Sequence, residues 1–160
     1  MTQPLRLWIE TTHHAAFRYG GWGLVREAGG AVSGQVGGER NLTAARIDLL
    51  AIIAALQGLA PAAAVTIISA SPGVVAAARV LAAPPAADSE GAPADDLDLW
   101  AQALKLSAGR ALTVRPAQRA PTTPAAFCFA WAEVGQDKAK GKGRFSAAIP
   151  RPNLAKLALA

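Results

Sequence analysis

The sequence predicts a single α/β domain in which a mixed β-sheet is flanked by helices. Three observations carry that expectation. Apolar and polar residues alternate with period two near the N-terminus, with Leu5, Leu7 and Ile9 set against Arg6, Trp8 and Glu10. Large apolar residues then recur at helical spacing between Ala44 and Gln57. A short apolar run, Val65 to Ser69, follows, as expected of a strand buried on both faces.

In chain order, the first strand runs from Leu5 to Glu10. Gly20-Gly21-Trp22-Gly23 leads into a second, Trp22 to Arg26, and Glu27-Ala28-Gly29-Gly30 turns the chain into a third, Ala31 to Val36. Asn41 or Thr43 can cap the first helix. That helix carries Leu49, Ile52, Ile53 and Leu56 on one stripe and Ile47, Leu50, Ala51 and Ala54 beside it. It is apolar over most of its girth and belongs between other elements. Gly58 and Pro61 stop it. After the central strand, Pro72 opens a helix that continues through Leu81. Residues 82–94 read as a surface loop rich in Ala, Pro and acid. Leu97 to Ala108 is a third helix, with Leu97, Trp100, Ala101 and Leu104 on one face. Leu112 to Arg115 supplies the fifth strand, and Pro124 to Val134 the last helix, with Phe127, Trp131 and Val134 as its stripe. The order is βββαβααβα. Residues 1–135 form the domain and 136–160 a basic C-terminal extension.

Bulk composition narrows the function classes. Hydrophobic residues make up 52% of 160, too many for a disordered chain and enough for a core. The most apolar stretch, Ile47 to Ile68, is broken by Asp48, Gln57 and Pro61, whereas a membrane-spanning helix needs about 20 nearly uninterrupted apolar residues. Cys128 is the only cysteine, which excludes an internal disulfide and a cysteine-rich zinc site; a core position is expected for it. Met1-Thr2-Gln3-Pro4 lacks the features of a secretory signal, so a cytoplasmic location is expected. The net charge of +5 points to a polyanionic partner. Its distribution is uneven: Lys138, Lys140, Lys142, Arg144, Arg151 and Lys156 crowd the last quarter, while Asp88, Glu90, Asp95, Asp96 and Asp98 make an acidic patch mid-chain.

Four pieces of sequence, in this order, resemble the bacterial type 1 ribonuclease H family. Glu10 stands where that family has its first catalytic acid, and Gly20-Gly21-Trp22-Gly23 looks like its Gly-Gly-aromatic-Gly motif. Thr43-Ala44-Ala45-Arg46-Ile47-Asp48-Leu49 is similar to its Thr-Asn-Asn-Arg-Met-Glu-Leu helix start, and Asp98-Leu99-Trp100 to its Asp-Leu-Trp. The resemblance covers roughly residues 5 to 134. It implies a ribonuclease H-like fold, a mixed five-stranded sheet flanked by helices, and hydrolysis of the RNA strand of RNA–DNA hybrids by two divalent metals. Such ions need several carboxylates gathered in one cluster.

The resemblance implies that this cluster is degenerate. Glu10 and Asp48 fill the first two positions with the two acids exchanged in type. The third position falls at Ala70 and the fourth at Phe127, and neither side chain can bind a cation. Glu133, six residues past Phe127, lies off the helix face that a substitute would need. The family's loop histidine is absent from 116–123, its asparagines correspond to Ala16, Ala44 and Ala45, and its basic handle is replaced by the acidic 82–96 segment. Thr43 remains as a nucleic-acid contact, and Arg46, Lys138, Lys140 and Lys142 are further candidates. His13 and His14 beside Glu10 raise a transition-metal site, but adjacent strand residues face opposite ways. Gly135 to Gly143 has the wrong spacing for a phosphate loop.

Three functional readings follow. The leading one is a nucleic-acid-binding ribonuclease H-like protein with hydrolysis lost or impaired. The second is an active enzyme using Glu10, Asp48 and Glu133 with weakly held magnesium or manganese on RNA–DNA hybrids. The third is a protein-interaction domain whose tail, Ile149 to Ala160, docks through Leu154, Leu157 and Ala158.

Overall fold

The N-terminal alternation and the two glycine-rich turns after it give three long antiparallel strands, β1 (Leu5–His14), β2 (Tyr19–Ala28) and β3 (Ala31–Arg40), each longer than the run expected. The computed structural model describes residues 4–60, 63–86, 88–157 and 159. Met1 to Gln3, Pro61 and Ala158, each used in the sequence reading, lie outside the described residues. α1 (Ala44–Leu56) follows, then β4 (Val65–Ser69), α2 (Pro72–Ala82), α3 (Leu97–Ser107), β5 (Leu112–Pro116), α4 (Pro124–Lys142), β6 (Phe145–Ala148) and the short α5 (Arg151–Leu154). The sheet order is β5-β4-β1-β2-β3-β6, with β4 parallel to both β1 and β5. The mixed sheet therefore has six strands where five were expected. The sixth comes from the basic 136–160 segment: α4 runs on to Lys142, and Phe145–Ala148 pairs antiparallel with β3.

Strand pleating sorts side chains between two cores. Leu7, Ile9, Trp22 and Leu24 face the helices α1, α2 and α3, and pack with Ile52, Leu56, Val74 and Leu99. Trp8 and Val25 face the other way with Ile68 and Cys128, against α4 and the tail leucines Leu154, Leu157 and Leu159. Ile149 is buried, and its N–H donates to Gly34 O at 2.9 Å. α1 is buried over most of its girth, as its double stripe predicts, and Thr43 caps it by accepting from the Arg46 N–H. Among the described residues no helix is long and apolar enough to cross a membrane.

Two helix faces differ from expectation. On α3 the buried residues are Leu99, Ala103 and Ser107, while Leu97 and Leu104 are exposed. Leu99 and Ala103 pack in the core beside α1, and on the solvent side the Arg46 guanidinium grips Asp98 through two nitrogens and Asp96 through one. The expected stripe instead lines a groove of about 270 Å³ with Pro84, Pro85 and Pro93. On α4 the sheet-facing residues are the small ones, Ala125, Cys128, Ala132, Gly135 and Ala139, and Val134 is exposed. The reason is close approach. A side chain at Gly21 would collide with the α4 backbone at Ala132 and Gln136, and one at Gly135 with the Gly37 carbonyl. The glycines of β2 and β3 thus let a helix of small residues lie directly on the sheet.

Candidate functional site

β4 stops at Ser69, but its neighbour β1 continues to His14. Glu10 lies just past the last β1–β4 pair, Trp8 with Ile68, and shares the α4-facing side with Trp8. Its carboxyl group is completely buried. The turn from β4 into α2 wraps it. The Ala70 N–H donates to Oε2 at 2.6 Å, and the Ser69 hydroxyl lies 3.1 Å from the same oxygen. On Oε1 the Ser71 hydroxyl donates at 3.1 Å and the Arg119 Nε at 2.7 Å. Arg119 also donates through Nη2 to Ser71 Oγ at 2.9 Å, and its guanidinium lies over the Phe129 ring, 4.0 Å from the centroid. Cys128 is buried close enough that its thiol is pushed well above its usual range by burial and then by the Glu10 charge.

Asp48 sits on α1, on the opposite side of β1. Its Oδ1 accepts from the Thr11 hydroxyl at 2.5 Å, and Thr11 shares the α1-facing side with Ile9. Its other oxygen abuts Gly73, where a side chain would collide with it. Burial pushes the Asp48 carboxyl above the ordinary carboxylate range, opposed by the Thr11 hydrogen bond and the field of His13. The start of α2 therefore lies between the two acids: Ser71 serves Glu10, and Gly73 backs Asp48.

The remaining sequence candidates are dispersed. Ala70 contributes its backbone N–H to Glu10 rather than a side chain. Phe127 packs in the Trp8 core and tilts against Trp131 at 6.5 Å, while Phe129, two residues on, meets Arg119. Glu133 is exposed on α4. Thr43 is engaged as a helix cap and Arg46 by Asp96 and Asp98. Lys138, over the Phe145 ring at 5.9 Å, and Lys140 and Lys142 in the last turn of α4 are exposed. His13 Nε2 is 2.8 Å from Leu42 O, and His14 stacks on Phe17 and Tyr19.

A pair of divalent ions does not fit these residues. Metal ions need carboxylate oxygens with free lone pairs converging from several sides. Here both Glu10 oxygens are met by hydrogen-bond donors of the chain itself, one of them a cation, and Asp48 turns to Thr11. Among the described residues no group of three or more His, Cys, Asp or Glu side chains is placed to hold a metal ion. Sequence reading missed Arg119, Ser69 and Ser71. The available signal was charge balance: an acid on a buried strand position requires a counter-charge, and Arg119 is the cation of the 116–123 loop.

No family model and no curated protein matches the chain. Solved structures do. The N-terminal RNase H domain of a Mycobacterium tuberculosis protein, fused to maltose-binding protein, superposes with a TM-score of 0.63 at 17% identity, covering 87% of this chain and 97% of that one. RNase H1 of the halophilic archaeon Halobacterium salinarum gives 0.58 at 18%, covering 85% and 99%. LC11-RNase H1, solved in complex with an RNA/DNA hybrid, gives 0.64 at 15%, covering 86% and 99%. The chain has the ribonuclease H-like fold. Identities this low speak for the fold alone.

Proposed function

We propose that this chain is a nucleic-acid-binding domain of ribonuclease H-like fold that does not hydrolyse its ligand. The observation that carries the reading is the Glu10–Arg119 pair. A fixed guanidinium supplies the positive charge that a buried carboxylate demands, and the Ser71 hydroxyl and the Ala70 N–H donate to it as well. An arginine side chain cannot activate a water for in-line attack on a phosphodiester as a bound metal would. Binding is supported by the net charge of +5, by exposed Lys138, Lys140 and Lys142, and by the shared fold of a protein solved on an RNA/DNA hybrid.

The test combines cleavage with binding. A labelled RNA–DNA hybrid is incubated with the full chain and millimolar magnesium or manganese, and hybrid, duplex and single-stranded oligonucleotides are titrated across a salt series. The expected result is no cleavage, no metal-dependent rise in melting temperature, and binding that weakens steeply with salt. Cleavage lost on Glu10→Gln would restore the enzyme reading. Absence of binding at low salt would leave only the protein-interaction reading.

A further inference from the structure

The hairpin between β1 and β2 presents an aromatic ring to solvent at its tip. Phe17, at its tip, is 72% exposed. Its ring stacks on His14, with centroids 5.1 Å apart and planes at 27°. His14 in turn stacks on Tyr19, 5.0 Å away at 13°, and Tyr19 is buried. Three planar groups therefore form one column, seated in the core at one end and open at the other. The backbone holds it in place. Arg18 adopts φ 54°, donates its N–H to His14 O at 2.8 Å and accepts from the Leu42 N–H at 3.1 Å.

Cations flank the column. Arg18 is exposed next to Phe17, and Arg40 is exposed opposite Tyr19 on β3. Neither takes part in a salt bridge among the described residues. Glu10 and His14 are an even number of residues apart on β1, so both face the α4 side, about 13 Å from one another along the strand. The open ring and the Arg119 cage thus share one face of the sheet.

A flat π-surface between unpaired guanidinium groups matches a nucleobase and its adjoining phosphates. Bases inside a duplex already have both faces covered, so the matching ligand is one whose bases are unpaired. A lipid surface would call for several apolar side chains, whereas Phe17 is bordered by Ala15, Ala16 and Arg18. We infer that the Phe17–His14–Tyr19 column is a stacking platform for an unpaired base of single-stranded nucleic acid, with Arg18 and Arg40 pairing its phosphates. This rests on the nucleic-acid reading above and names the ligand class and the residues.

Fluorescence anisotropy with labelled oligothymidylate and oligouridylate tests it, using the full chain and its Phe17→Ala and Phe17→Trp variants. Because Phe17 is exposed, both variants should keep the parent melting temperature. Phe17→Ala should weaken single-strand binding about tenfold, and Phe17→Trp should preserve or tighten it. Arg18→Gln and Arg40→Gln should each lower the slope of log affinity against log salt by about 1. A blunt duplex should bind more weakly and ignore the Phe17 changes. Unchanged single-strand affinity in Phe17→Ala would overturn the platform while leaving nucleic-acid binding intact. If the unaltered protein binds no oligonucleotide, the function and the platform fall together.

Discussion

Glu10 and Asp48 are buried acids on opposite sides of one strand, and they are stabilised by contrasting means. Glu10 is enclosed by a backbone N–H, two serine hydroxyls and a guanidinium. Asp48 has one side-chain donor, the Thr11 hydroxyl, and burial raises its pKa. The difference shows what a folded interior asks of a carboxylate: enough donors and a counter-charge to replace water, or a proton. The first solution makes Glu10 a structural anchor for the loop that carries Arg119. The second leaves Asp48 a group that native packing prefers neutral.

The largest expected effect breaks the better-served acid. Arg119→Ala strands the Glu10 charge and should cost about 2–4 kcal/mol in urea unfolding, below the full figure for a buried pair because Arg119 is about a third exposed. Adding Glu10→Gln should recover much of that loss, since it is the orphaned charge that destabilises. A double variant no more stable than Arg119→Ala would show that the arginine acts through packing on Phe129 instead.

A smaller effect of opposite sign is expected at Asp48. Its folded pKa is raised, so its stabilising contribution is complete below the ordinary value near 3.8 and is lost as pH rises through the folded pKa. Asp48→Asn keeps the acceptor for Thr11 without the charge. It should melt above the parent at pH 7, with the gap closing as pH falls into the acid range. A lower melting temperature at pH 7 would mean that the ionised carboxylate is well solvated after all.

The smallest effect belongs to Asp98, an exposed acid that Arg46 holds down at about 2. Here the sign reverses. The contribution is present above the ordinary 3.8 and disappears as pH falls through about 2. Asp98→Asn should lower the melting temperature slightly at pH 6, by less near pH 2, and not at all well below it. High salt should shrink the pH 6 difference, as it does for surface ion pairs.

Much of the architecture was legible in the chain because it is written in local periods. Alternation marked β1, glycine-rich turns marked β2 and β3, the double stripe marked a buried α1, and the short apolar run marked β4 from Val65 to Ser69. The faces of α3 and α4 were not legible, because both depend on what each helix meets. α3 buries Leu99 and Ala103 in the core beside α1, and the sheet glycines admit the small-residue face of α4 rather than Phe127, Trp131 and Val134. At the site, the place of Glu10 on β1 could be read from the sequence. Its partner could not, because Arg119 lies 109 residues away.

The sequence by itself determined the order of elements from β1 to α4, the buried girth of α1 and the absence of a carboxylate at Ala70 and Phe127, since each is a property of neighbouring residues or of residue type. Only the tertiary structure decided that Arg119 neutralises Glu10, that Asp48 turns to Thr11, and that the basic C-terminal segment adds a strand beside β3. Those outcomes depend on which side chains the packed sheet brings together from distant parts of the chain, and on how completely it shuts out water around the charges it buries.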